Sequence, residues 1–188
     1  MSGRPVPTLV GRSIRLRPPG PADLPKLFDW YNDPETVAPF DRFSLDSFSD
    51  FERGVQAAPG DSQSLAPRLV VERIQDAGVL GFVGYYSAHP VLEFLDVWYV
   101  LGDRAARGKG YGVEAVGLLV DYLFHAFEVE RVGATCDIEN VPSYRLLERL
   151  GFRKEGSLRQ ALFHHGAWHD VAIYGVTRPE WAARARTP

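Results

Sequence analysis

The feature that most constrains this chain is a strand, a glycine-rich turn and a helix in immediate succession. Phe94-Leu95-Asp96-Val97-Trp98-Tyr99-Val100-Leu101 is short, apolar, β-branched and aromatic, the composition of a buried strand. Arg107-Gly108-Lys109-Gly110-Tyr111-Gly112 follows. The next residues put Val116, Leu119, Val120, Leu123 and Phe127 on one helical face. Glycines at alternate positions let the backbone come close to a ligand and take φ > 0 where a turn needs it. The first amides of the helix have no intrahelical partners, and the helix dipole favours an anion there. Arg107 and Lys109 add positive charge. The stretch has the form of a pyrophosphate cradle.

Two common phosphate loops do not fit. A Walker A loop needs Ser or Thr after its Gly-Lys to hold magnesium, and Lys109 is followed by Gly110. The dinucleotide fingerprint G-x-G-x-x-G needs a glycine at Val113.

The surrounding chain reads as one globular domain over residues 1–188, with a hydrophobic fraction of 45% that supports a sizeable core. The net charge of -3 and the absence of a basic block argue against a nucleic-acid partner. No apolar run is long enough to span a bilayer, and the first residues lack the apolar core of a signal peptide. A single cysteine, Cys136, leaves no intrachain disulfide and fits a reducing, cytoplasmic setting.

In chain order, Ser13 to Pro18 alternates as a first strand. Asp23 is an N-cap candidate for a helix carrying Leu24, Leu27, Phe28 and Tyr31, which Asn32-Asp33-Pro34 ends. Phe40 to Ser44 reads as loop, and Leu45 to Gln56 as a helix with Phe48, Phe51 and Val55 inward. Leu69 to Ile74 and Val79 to Ser87 form a hairpin, with Gly81 and Gly84 marking a bulge or a close backbone approach. His89-Pro90 turns the chain into the strand at Leu92 to Leu101. Beyond the cradle helix, Arg131 to Asp137 is a strand, and Asn140 caps a helix that Gly151 ends. Phe152 to Arg159 and Trp168 to Val176 close the chain as a hairpin. The order gives an α/β fold, a mixed, mostly antiparallel sheet flanked by helices.

Three segments resemble the GNAT N-acetyltransferase superfamily, in its RimJ/RimL branch. The cradle resembles that family's R/Q-x-x-G-x-G/A loop, which grips the pyrophosphate of coenzyme A. Asn140-Val141-Pro142-Ser143 with Leu147-Glu148-Arg149-Leu150-Gly151-Phe152 is similar to the N-x-x-S…L-x-x-x-G-F segment. Gly156 to Arg159, Gly166 to Val171 and Glu180-Trp181 resemble the C-terminal pattern. The resemblance implies a sheet whose strands splay at the acyl-CoA site, acetyl-CoA as cosubstrate and no metal. It assigns Arg107, Gly108, Lys109, Gly110, Tyr111 and Gly112 to the pyrophosphate and Asn140 to the pantetheine arm. It places the N–H that meets the thioester carbonyl at Trp98, Tyr99 or Val100, and an acceptor groove around Trp30, Tyr31 and Phe40.

For catalysis, Asp96 is the first choice of general base. A carboxylate inside an apolar strand must be paired, protonated or chemically active, and partial burial would raise its pKa. The alternative is a structural aspartate, with Glu93 as the second-choice base. Ser143 falls where the branch has a serine near the coenzyme sulfur, and helix-start capping is its alternative role. The branch also carries a glutamate in the strand after G-F. The matching position here is Leu162, a departure that bears on the mechanism and on a ribosomal substrate. Cys136 reads as a small core residue. His164, His165 and His169 gather near a hairpin tip without a common zinc spacing.

The expectation is therefore direct transfer of an acetyl group to a primary amine, such as a protein N-terminus, an antibiotic or a small metabolite. Succinyl-CoA or another acyl donor is one alternative, and a non-catalytic acetyl-CoA sensor is the other. A homodimer through the late strands is compatible with the pattern.

Overall fold

The computed structural model describes residues 7–37, 47–56, 69–87 and 94–184. Its strands belong to an eight-stranded, mixed and mostly antiparallel sheet. The chain divides into two compact units, and each is described by itself. Phe40, Glu93 and the segments expected as loops around Phe40 to Ser44 and His89-Pro90 lie outside the described residues.

The first unit holds Met1–Val37, Arg42–Gly84 and Tyr99–Leu119. Strand β1 (Leu9–Val10) pairs antiparallel with β2 (Ile14–Arg17), β2 with β3 (Leu69–Arg73), and β3 with β4 (Val79–Ser87), which starts in this unit. The two-residue β1 is too short to leave a periodic signal, so sequence reading missed it. Ile14, Leu16, Leu69, Val70, Val71 and Leu80 have no solvent exposure and make this unit's core. Helices α1 (Leu24–Tyr31), α2 (Pro34–Val37) and α3 (Phe48–Gln56) follow β2. α1 ends at Asn32 as expected, and the short α2 is an addition to the expected elements.

Two expectations in this unit need correction. Asp23 makes no side-chain cap bond to α1. Its carboxylate instead accepts the Gly20 N–H at 2.7 Å, closing the 3-10 turn Pro21–Asp23, and accepts two bonds from Arg17 at 2.6 and 2.9 Å. The guanidinium is the stronger partner for a buried carboxylate. Phe48, expected inward, is 40% exposed, while Phe51 is buried. Helix α3 starts at Phe48, so its first residue lies at the open end of the aromatic cluster, where it meets Phe28 at 5.3 Å.

Gly81 of β4 shows the close approach that its sequence position suggested. A β-carbon there would sit 2.0 Å from the Val100 carbonyl oxygen. Only glycine leaves room for that backbone.

The second unit holds Tyr85–Trp98 and Val120–Pro188, with Ala38–Asp41. Strand β5 (Leu95–Val100) begins here, and β6 is Arg131–Asp137. β8 (Ala167–Thr177) pairs antiparallel with β6 from Arg131↔Thr177 to Asp137↔Val171, and with the edge strand β7 (Arg153–His164). This last hairpin is longer than expected, because β7 continues past a register shift between Leu158 and Leu162. Helix α4 (Tyr111–Ala126) runs from the first unit into this one. Phe127, expected on its apolar face, lies past its end and is 37% exposed.

Helix α5 (Val141–Arg149) is capped by Asn140, whose side chain accepts the Ser143 N–H, and Gly151 past its end has φ of 83°. Helix α6 (Arg178–Arg184) is anchored by Trp181, which donates to Asp121 at 2.6 Å. Among the described residues, no helix is long and apolar enough to cross a membrane.

Candidate active site

The cradle lies wholly in the first unit. Asp103 accepts the Ala105 N–H and starts a 3-10 turn, Arg104–Ala106. Arg107 then anchors the loop by donating from Nε to the Leu101 carbonyl at 3.0 Å. Gly108 and Gly110 take φ of 75° and 87°, a left-handed conformation that costs an L-residue energy. Gly112 already belongs to α4. The first helical bond runs from Glu114 N–H to the Gly110 carbonyl. The amides of Tyr111, Gly112 and Val113 therefore precede the helix's own ladder, where the dipole favours an anion.

The start of α4 is fixed from behind. Glu114 accepts the N–H of Arg12 and, at 2.8 Å, of Ser13, together with the Ser13 hydroxyl. Burial opposes ionisation of Glu114, and these donors outweigh it, so the carboxyl stays below its ordinary value. Tyr111 hydrogen-bonds Arg73.

Trp30 and Tyr31, both expected near an acceptor groove, are half-buried in this unit. Trp30 lies against Gly102, with Lys26 over its ring at 4.9 Å. Tyr31 packs 5.3 Å from Phe51 in the aromatic cluster of α1 and α3.

The other candidates lie in or begin from the second unit. β5 and β6 run parallel, and their register pairs are Leu95↔Val132 and Asp96↔Gly133. Beyond Asp96 the two strands share no further register pair among the described residues. Trp98, Tyr99 and Val100 lie on β5 past that point, with Val100 buried.

Asp96 is buried, with 8% of its surface exposed. Burial pushes its carboxyl above the ordinary value, while the charge of Arg131 opposes the shift and Glu155 adds to it. Arg131 pairs with Glu155 at 2.5 Å, and its Nη1 is buried without a hydrogen-bond partner among the described residues.

Ser143 is buried and hydrogen-bonds Cys136. Asn140 provides the helix cap. Burial pushes the Cys136 thiol up, which suits a core residue rather than a nucleophile. Residues alternate across β6, so Cys136 and Gly133 point to opposite faces of the sheet. Asp96 lies beside Gly133, where a β-carbon would meet its Oδ1 at 2.1 Å. Ser143 lies with Cys136. The structure therefore places the two catalytic candidates on opposite faces.

Two features were not recognised in the sequence. Tyr174 is buried on the Cys136 face, with burial first and then its 3.2 Å bond to Glu148 pushing its hydroxyl up to about 12. On the Asp96 face, Asp137 gathers two histidines from the last hairpin. His164 Nε2 lies 2.5 Å from Asp137 Oδ2. His169 stacks on His164 with ring centres 3.7 Å apart and planes 13° from parallel. The spacing of these histidines was visible, but their carboxylate partner is contributed by a distant strand. Metal-capable atoms of the three residues lie within 4.8 Å of one another. The stacked rings direct their lone pairs along near-parallel planes rather than toward one point.

Comparison with known proteins agrees with the fold. The model of the acetyltransferase (GNAT) domain matches residues 13–153. The N-acetyltransferase YnaD of Bacillus subtilis is 29% identical over 132 residues, 70% of this chain and 75% of its own length. The [ribosomal protein uS5]-alanine N-acetyltransferase of Escherichia coli is 35% identical over 83 residues, covering 44% of this chain and 42% of that protein. A spermidine N-acetyltransferase from Vibrio cholerae, solved with CoA and spermine, superposes with a TM-score of 0.77 at 21% identity. That alignment covers 90% of this chain and 98% of the Vibrio chain. Mycobacterium smegmatis RimJ, solved with CoA-disulfide, gives 0.73 at 21% identity over 92% of this chain and 90% of its own. The chain belongs to the GNAT family and is an acetyl-CoA-dependent N-acetyltransferase.

Proposed function

We propose that the chain acetylates a primary amine by direct attack on the thioester of acetyl-CoA in a ternary complex. The observation that carries this reading is the cradle, with two left-handed glycines leading into the amides of α4 that precede its own ladder, and with Arg107 and Lys109 in the same loop. The pyrophosphate belongs on Arg107, Gly108, Lys109, Gly110, Tyr111 and Gly112. The thioester carbonyl meets a backbone N–H at Trp98, Tyr99 or Val100, the part of β5 beyond its pairing with β6. Asn140 and Ser143 contact the pantetheine arm, and Ser143 or water protonates the departing thiolate. Asp96 accepts the amine proton in the simplest version of this reading.

Two of the similar proteins are named for amine acceptors, an alanine of ribosomal protein uS5 in one and spermidine in the other. Trp30, Tyr31 and Phe40 are the residues proposed to bound the acceptor. Exposed Asp29 and Glu35 attract a cationic amine to that region.

Calorimetric titration with acetyl-CoA and succinyl-CoA, followed by a thiol-release assay against spermidine, an aminoglycoside and an alanine-initiated peptide, tests the reading. Binding of acetyl-CoA with thiol release on one amine supports it. A preference for succinyl-CoA changes the donor. Binding without release on every amine favours a coenzyme sensor.

A further inference from the structure

Asp96 stands at the last register pair of β5 and β6, where the strands are still together, with Arg131 beside its carboxylate. Four residues further along β6, on the same face, Asp137 supports a different acid–base group. His164 Nε2 contacts Asp137 Oδ2 at 2.5 Å, and the Glu139 N–H donates to Asp137 Oδ1 at 2.7 Å. Both carboxylate oxygens are thereby fixed. His169 Nδ1 faces the same Oδ2 at 3.6 Å and Glu139 Oε2 at 3.4 Å. Two negative charges on that side favour the tautomer with the proton on Nδ1 and leave the lone pair on Nε2. That Nε2 is buried and has no hydrogen-bond partner among the described residues. A buried polar atom left unsatisfied in a folded chain calls for a partner. A carboxylate behind one imidazole nitrogen and an unspent lone pair on the other are the arrangement of a general base.

We infer that His169 Nε2, backed by the Asp137 and Glu139 carboxylates, is the base that takes the proton from the acceptor's ammonium group. The inference rests on the acetyl-transfer reading above and reassigns its base. One proton leaves the ammonium nitrogen for Nε2. The freed nitrogen pair forms the N–C bond to the acetyl carbon as the C–S bond breaks, and the second nitrogen proton goes to the thiolate. His169 then gives up its proton, the net proton of the reaction, to solvent. The two carboxylates stabilise the imidazolium in the interval. Stacking on His164 at 3.7 Å holds the ring in place. The other titratable group at the cluster is His165, whose Nδ1 lies 2.9 Å from His164 Nδ1.

The test is the pH profile of kcat/KM for the best amine in the panel, with acetyl-CoA binding measured in parallel. His169→Gln is expected to lower kcat/KM at pH 7 by about 100-fold, the scale of a lost general base. Its acetyl-CoA affinity stays unchanged, and its residual rate climbs with pH as free amine becomes available. Asp137→Asn removes the carboxylate behind the ring and is expected to lower kcat/KM by about tenfold, again with unchanged acetyl-CoA affinity. A purely structural role would weaken coenzyme binding and the rate together, and this variant decides the matter if His169→Gln fails to fold. Wild-type kcat/KM in His169→Gln or in Asp137→Asn, or a residual His169→Gln rate that does not climb with pH, would overturn the assignment. A wild-type chain that binds acetyl-CoA and acetylates no amine would overturn the acetyl-transfer reading, and the base with it.

Discussion

The indole of Trp30 occupies the space that a side chain on Gly102 would need. A β-carbon on Gly102 would lie 2.0 Å from Cδ2 of the ring. This contact joins α1 to the segment entering the cradle, within the first unit. Gly102→Ala must push the indole aside, and overpacking of this kind costs about 1–3 kcal/mol. The expected result is a lower urea midpoint with an unchanged slope, together with a shift in tryptophan emission. An unchanged midpoint would show that Trp30 can move freely.

Gly108 and Gly110 present the opposite case. Among the described residues nothing lies within 4 Å of a β-carbon at either position, so substitution meets no steric obstacle there. Their φ values of 75° and 87° carry the constraint. An L-residue in that region costs about 1–2 kcal/mol. Alanine at either site should strain the loop or move its amides. The acetyl-CoA Kd should rise about tenfold per substitution, the equivalent of about 1.4 kcal/mol. Titration calorimetry reads this directly, and full affinity in the double variant would remove the cradle from the binding site.

These two cases show what was legible in the sequence. The cradle, the hairpin from β3 to β4, strand β6 and the Asn140 cap all follow from local rules, namely periodicity, turn residues and caps. Their information lies within about ten residues of chain. The charged contacts are different. Glu72 meets Arg15 and Arg17 because β2 and β3 pair in one register. Asp96 meets Arg131, and Asp137 meets His164, because separate strands come together in the second unit. No short window contains both partners of such a pair. The histidines near the hairpin tip were visible in the sequence, but the carboxylate that gives them a chemical context was not.

Asp96 links the stability of the chain to pH. Its folded pKa is raised by burial, so the ionised form is less favourable in the folded chain than in the unfolded one. Above the folded pKa this group therefore reduces stability. The penalty shrinks as pH falls through that value and disappears below the unfolded pKa of about 3.9. Asp96→Asn should be neutral or stabilising at pH 7, with its advantage over wild type fading toward pH 4. Chemical denaturation at the two pH values checks the sign. Strong destabilisation at pH 7 would mean that the carboxylate serves chiefly as the counter-charge of Arg131.

Glu114, Asp23 and Glu72 have the reverse sign. The Arg17 bond dominates the lowering for Asp23. For Glu72 and Glu114 burial opposes ionisation, and the donors around them outweigh it. Each lowered carboxyl adds stability that is fully present above its unfolded pKa of about 4. That contribution is lost as pH falls through the lower folded value. Acid unfolding should therefore begin below about pH 4. Glu114→Gln removes a charged acceptor from the Ser13 hydroxyl and the neighbouring amides, at a cost of about 2 kcal/mol at pH 7. The cost should shrink as pH falls through the lowered folded value of Glu114, where wild type becomes protonated too.

Cys136 tests whether the face bearing Ser143 is closed. The thiol is 5% exposed, burial raises its pKa, and Ser143 hydrogen-bonds it. Only the thiolate reacts with a disulfide reagent, and a buried, protonated thiol must wait for the chain to open. The expected labelling rate in the native protein is at least about 100-fold below that in urea, with one thiol modified per chain only on unfolding. Ser143→Ala removes an interaction that favours the thiolate, so it should not accelerate native labelling unless it loosens α5. Circular dichroism at the labelling temperature detects such loosening. Fast native labelling of a fully folded Ser143→Ala variant would show that the hydroxyl, rather than the packing of α5, closes this face.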